Sequence, residues 1–247
     1  MRVTLLLAAF ALIASPAFAQ DVLDLGAPGA IPDDGYDGTA GSMLCSTVDN
    51  SGGTIVSVTD VSLDISITHT WVGDLTIKVF SPIGTELAVL ATPGQPLAPD
   101  DGSTCCGDSS DLDGTSLNFA NGNPFDAELM GSTILGGEFV CTTDGQCDFF
   151  PNPDGAPGTD FDDFDGEDAT AGSWSVCVGD GAAGDPGTFN GGTLTIDGDI
   201  PVELTSFTAT ANGQNVNLAW ETASETNNAG FEVQIQDGEN WTVLGFV

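Results

Sequence analysis

Basic side chains are almost missing from this sequence. Arg2 and Lys78 stand against 37 acidic residues, giving a formal net charge of −35. So one-sided a charge repels phosphate backbones and anionic bilayers, which argues against nucleic-acid binding and membrane insertion. It leaves solubility in a salty medium, divalent cations held in acidic loops, or a basic partner. Histidine is as scarce, His69 being the only one, so a multi-histidine metal site is excluded. There is one tyrosine, Tyr36, and aromatic residues make up 8% of the chain, which weighs against a sugar-stacking surface. No apolar run beyond the N-terminus is long enough to span a bilayer. Helical periodicity is missing too.

The N-terminus is the apolar exception. Residues 1–19 read as a signal peptide: Arg2 is the positive n-region, VTLLLAAFALIA the h-region, and Ala17-Phe18-Ala19 the cleavage site. The run is short and meets Pro16, which argues against a membrane anchor. Cleavage leaves Gln20 or Asp21 first, and a secreted or cell-surface protein. Its six cysteines then read as disulfides, with about 15 possible pairings. Cys141 and Cys147 close a short loop and form the favoured pair. Sequence does not settle the partners of Cys45, Cys105, Cys106 and Cys177, although the adjacent Cys105 and Cys106 are expected to bond elsewhere. Zinc held by these two and His69 would lack the C-x-x-C spacing that such sites use.

Alternation with period 2 dominates the rest. Val61, Leu63, Ile65, Ile67 and His69 fall on one strand face; Leu75, Ile77 and Val79 on the next; Leu87 and Val89 begin another. Trp174, Val176 and Val178 alternate later, as do Leu194 and Ile196. Turns rich in Gly, Pro and Asp separate them, as in Ser81-Pro82-Ile83-Gly84 and Gly184-Asp185-Pro186-Gly187. The pattern predicts an all-β, jelly-roll-like β-sandwich over residues 20–198. Residues 91–165 are Asp/Gly/Pro-rich and weakly periodic, which suits a long stapled or metal-bound loop region. Residues 199–247 hold about four more strands, marked by Val202, Leu204, Val216, Leu218, Trp220, Phe231, Val233, Ile235, Trp241 and Val243. An immunoglobulin-like sandwich needs about seven. The segment is therefore expected to be a partial second sandwich.

Three blocks resemble the P domain (Homo B) that accompanies furin- and kexin-type subtilases. They are Ala30-Ile31-Pro32-Asp33, then ITHTWVGDLTIKVFSPIGTELAVL at 67–90, then Phe164 to Ile196 with Gly172-Ser173-Trp174 and Gly184-Asp185-Pro186-Gly187. The resemblance implies a structural signature made of His69, Gly73, Asp74, Pro82, Gly84 and Trp174. Gly73 is expected to permit a tight turn, Asp74 to fold onto loop N–H groups, and Pro82 with Gly84 to shape a hairpin. His69 is read as a hydrogen-bonded structural residue and Trp174 as core. The family's last strand usually carries a Trp, where this chain has Gly191-Gly192. Residues 199–247 resemble a fibronectin type III-like segment of secreted Bacteroidetes-type proteins, through PVELTSFTAT, VNLAWETASE and NNAGFEV.

No catalytic residues are assigned. Gly114-Thr115-Ser116 imitates the subtilase nucleophile motif, but the only histidine lies in the P-domain-like block, away from any matching His or Asp segment. Calcium is the expected cofactor, with oxygens from Asp74, Asp100, Asp101, Asp108, Asp111, Asp113 and Asp165, although none of these loops has EF-hand spacing. The expected role is a non-catalytic accessory module contacting a protein, either a subtilisin-like protease or a cell-surface component. The alternatives are a part of a subtilase system and a carbohydrate-binding or adhesin module.

Overall fold

A computed structural model describes residues 10–14, 17–104, 106–200, 204–213, 215–223, 230–237 and 240–247. Most of the signal peptide, Cys105, Val202 and the 224–229 part of the C-terminal motif lie outside the described residues. The strands are β1 (Phe10–Ala14), β2 (Ala17–Asp24), β3 (Gly29–Ala30), β4 (Leu44–Asp49), β5 (Ser57–His69), β6 (Leu75–Phe80), β7 (Glu86–Ala91) and β8 (Leu112–Phe119). They continue with β9 (Phe125–Asp126), β10 (Asp148–Phe150), β11 (Ser173–Asp180), β12 (Thr188–Ile200), β13 (Leu204–Asn212), β14 (Asn215–Thr222), β15 (Phe231–Asp237) and β16 (Asn240–Phe246). Among the described residues the helical pieces between them are short 3-10 turns.

Residues 20–198 form one compact unit. It is a β-sandwich of two sheets. The first has the order β2-β12-β5-β8-β10-β9, with β3 also on β12, and the second the order β4-β11-β6-β7. Alternation on β5 builds the core: Val61, Leu63, Ile65, Ile67 and His69 are all buried. Each apolar side chain so buried contributes roughly 1.5–3 kcal/mol. Leu75, Ile77, Val79, Trp174, Val176 and Val178 supply the second sheet's share.

Three features depart from simple alternation. β6 is buried on both faces, Thr76 and Lys78 included. Tyr36 and Met43 pack on Cys177, the register partner of Lys78, and so cover the sheet's outer side. β8 lies inside the weakly periodic stretch. An extra residue enters its ladder between Ser66 and Thr68 of β5, beside Gly114 at φ +92°. This bulge puts buried Leu112 and Leu117 five positions apart, an odd spacing that breaks the period. The 150–158 segment is also ordered: Asn152 N–H donates to Val89 O and Ala88 N–H to Pro157 O, so it lies along β7.

Cys141 is bonded to Cys147, and Cys45 to Cys177 across directly paired positions of β4 and β11. Cys106 is also disulfide-bonded. The second bridge closes a separation of 132 residues. Converting Cys45 and Cys177 together to alanine is expected to cost about 2–4 kcal/mol, read from the urea midpoint against the intact protein.

A second unit combines β1 with the chain from Asp199 onward. In it β13 pairs with β14, and β15 lies between β1 and β16. Trp220 meets Phe231 edge-on at 5.8 Å, while Leu204, Val216, Trp241, Val243 and Phe246 are exposed. Phe10–Ala14, placed in the signal peptide by sequence, forms the β1 strand on β15.

Candidate functional site

The three sequence blocks converge at one end of the sandwich. Ile31 N–H donates to Gly187 O, and Asp33 accepts from Gly184 N–H. The N–H groups of Gly35 and Tyr36 both donate to Asp180 O. Thr70 Oγ1 donates to Asp185. Gly181 N–H donates to Asp74 O, while Asp74 Oδ1 accepts Cys106 N–H at 2.8 Å. Residues far apart in sequence are thus tied by backbone and carboxylate bonds into one hub.

His69 sits at its centre, almost wholly buried. Its Nδ1 accepts Trp71 N–H at 3.1 Å, so Nε2 carries the proton and donates to Asp180 Oδ2 at 3.2 Å. A Cβ at Gly187 would lie 2.3 Å from the ring, so glycine there makes room for the imidazole. With both nitrogens committed, the ring offers no free lone pair to a serine. Ser116 is exposed on β8 opposite Ser66.

Gly73 has a reason that the sequence concealed. Its Cβ would lie 2.4 Å from Asp108 N and 2.5 Å from the Gly107 backbone. Close backbone approach therefore requires glycine there, inside the 3-10 turn Val72–Asp74. Gly84 differs: it has open space, φ +97°, and closes the β6–β7 hairpin by donating its N–H to Ser81 O, with Pro82 between them. Trp174 is buried, its indole N–H donating to Ala169 O.

The seven candidate calcium carboxylates are not brought together. Asp101, Asp108 and Asp113 each accept the N–H two residues onward, and Asp113 also binds Thr142. Hydrogen bonds from the hydroxyls of Ser103 and Thr115, and then from their N–H groups, hold Asp101 and Asp113 below the usual carboxylate range. Burial raises Asp74, Asp111 and Asp165. Asp100 is occupied by Lys78 and Tyr36. Among the described residues no three His, Cys, Asp or Glu side chains are grouped to hold a metal ion. A calcium ion wants six to eight convergent oxygens, and these positions do not fit that need.

A separate feature had no sequence signal. Asn121, Phe150, Asn152, Pro153, Asp154 and Asp160 help line a groove of about 480 Å³, so its lining combines Phe and Pro side chains with two aspartates. Glu128, which feels the charge of Asp154, is buried: Oε1 accepts Gly94 N–H, and Oε2 has no hydrogen-bond partner. Burial, aided by Asp154, pushes its carboxyl up to about 7. The folded state then holds this proton above the pH at which the unfolded chain releases it. Stability should fall as pH rises from about 4.5 to about 7 and lack this contribution above. Glu128→Gln should flatten that slope and stabilise at pH 8 by about 1–3 kcal/mol, allowing for screening. Urea denaturation at several pH values checks it.

Fold and hub define a disulfide-bonded all-β sandwich fastened by a buried His–Asp pair. Residues 58–105 match the family model described as Proprotein convertase P-domain. That stretch holds nearly all of β5, the Val72–Asp74 turn, β6 and β7. Nothing among curated proteins matches the chain. Among solved structures it is similar to the serine protease of Aeromonas sobria, with 18% identity and a TM-score of 0.39, over 77% of this chain and 27% of that one. It is likewise similar to the complex of that protease with the chaperone ORF2, with 18% identity and a TM-score of 0.40, over 78% of this chain and 28% of that one. The chain spans little more than a quarter of the length of those proteins. Among the described residues no helix is long and apolar enough to cross a membrane.

Proposed function

We propose that this chain is a secreted, non-catalytic accessory module of the P-domain type that docks on a protein partner, a subtilisin-like protease. The observation that carries the reading is the family match over β5 to β7, the segment holding His69, Gly73 and Asp74. The acidic groove beside Asp154 and Asp160 supplies the contact chemistry. With only two basic residues in the chain, its negative potential has little to neutralise it, and a basic segment of the partner fits it. The chain supplies binding, and hydrolysis belongs to the partner, because the only imidazole is committed on both nitrogens.

Calorimetry of the full chain against a subtilisin-like protease from the same source tests this. Expected are saturable binding that weakens as salt rises, a longer protease half-life at elevated temperature, and weaker binding by the Asp154→Asn, Asp160→Asn variant. Absence of binding, or peptide hydrolysis by the chain alone, would overturn it.

A further inference from the structure

The single lysine of the sandwich is placed for chemistry that the accessory role does not use. Lys78 points away from the core of the sandwich, yet its side chain has no exposure. Its three N–H donors go to Asp100 Oδ2 at 2.6 Å, Glu86 Oε1 at 2.8 Å and Gly38 O at 3.2 Å. The other oxygen of Asp100 accepts the Tyr36 hydroxyl. The pieces cannot drift apart easily. A Cβ on Gly38 would lie 2.3 Å from Asp100 O, and one on Gly102 would lie 1.8 Å from Tyr36 O. Loops 36–38 and 100–102 therefore run backbone against backbone over β6 and hold the carboxyl of Asp100 on the amine.

We propose that Lys78 and Asp100 condense to an isopeptide bond between Nζ and Cγ. Glu86 takes a proton from the ammonium and frees the amine lone pair, which attacks Cγ. The Tyr36 hydroxyl donates to Oδ1 as negative charge develops there, the role of an oxyanion donor. Glu86 returns its proton to Oδ2, the Cγ–Oδ2 bond breaks, and the oxygen leaves as water with the second amine proton. One C–N bond forms, one C–O bond breaks, one water is released, and nothing is oxidised or reduced. The ion pair is the reactant state. Burial alone would lower the lysine, but its bonds to Asp100 and Glu86 outweigh that and keep it above the ordinary range. Reaction passes through the minor neutral amine, and proximity offsets that scarcity: well-oriented groups reach effective molarities of about 10⁵ M and above. Glu86 is 32% exposed at its side chain, which gives the released water a way out, whereas Lys78 is sealed against hydrolysis. The product would fasten β6 to the connection between β7 and β8.

The sequence supplies its own assay. Arg2 and Lys78 are the only tryptic sites, and an amidated lysine is not cut. The full chain is reduced, unfolded, weighed and digested with trypsin. Expected are a mass lighter by one water than the reduced sequence and no cleavage after Lys78. Asp100→Ala should restore cleavage, and Glu86→Gln should slow bond formation at least about a hundredfold. Full sequence mass together with cleavage after Lys78 in the unaltered protein would overturn the proposal and leave an ion pair. This readout is independent of protease binding.

Discussion

Trp174→Ala is expected to destabilise the sandwich by about 3–5 kcal/mol, a large share of what a domain of this size possesses. The residue is 1% exposed on β11, stands edge-on to Phe164 at 5.3 Å, and donates its indole N–H to Ala169 O at 3.1 Å. Alanine removes the ring, leaves a cavity beside Phe164, and orphans a carbonyl, which adds about 1 kcal/mol. Trp174→Phe keeps most of the volume and should cost only about 1–2 kcal/mol. Urea midpoints at unchanged m-value measure both. A tryptophan exposed for ligand stacking would give a change within about ±0.5 kcal/mol. A neutral result would therefore return Trp174 to the surface and undo the packing described for the 164–174 block.

What could be read in advance follows from which interactions are local. β5, β6, β7 and β11 were legible because one face of each is apolar at period 2. Gly84 was legible because a hairpin turn needs a positive φ at a fixed offset from the strands. The Gly114 bulge hid β8, since one inserted residue shifts every later side chain to the opposite parity. Gly73 was legible as a turn residue, but the close backbone approach that also requires glycine was not, because its neighbour in space, Gly107, is 34 positions away and leaves no local trace. The pairing of Cys45 with Cys177 depends on a register between β4 and β11, which sequence does not specify. The groove at Asp154 is invisible for the same reason: its walls come from separate connections. The acidic loops are ambiguous as sequence. Asp followed two residues later by a free N–H is the pattern of a self-capping turn as much as of a calcium loop.

Lys78 was the least legible residue of all. On a strand reading Leu-Thr-Ile-Lys-Val-Phe it takes the solvent side, where a lone lysine is unremarkable. The structure buries it because the Tyr36–Met43 segment crosses the outer face of the sheet and Asp100 returns from the far side of β7. A lysine there with no carboxylates would be untenable, so its partners decide the energetics. Lys78→Ala should cost about 3–5 kcal/mol, because Asp100 and Glu86 then remain with no cation between them. Restoring volume without charge tests that account. In the triple variant Tyr36→Phe, Lys78→Met, Asp100→Leu no buried charge is left unpaired and no hydroxyl loses its acceptor. With the Nζ–Cγ amide lost in both variants it should recover little of that loss, whereas a mere buried ionic cluster, for which apolar replacement is often neutral or better, would recover more than half. Equal instability of the single and triple variants would show that the energy lies in specific bonds, the result an Nζ–Cγ amide requires. Recovery would show that desolvated charge alone makes Lys78→Ala costly.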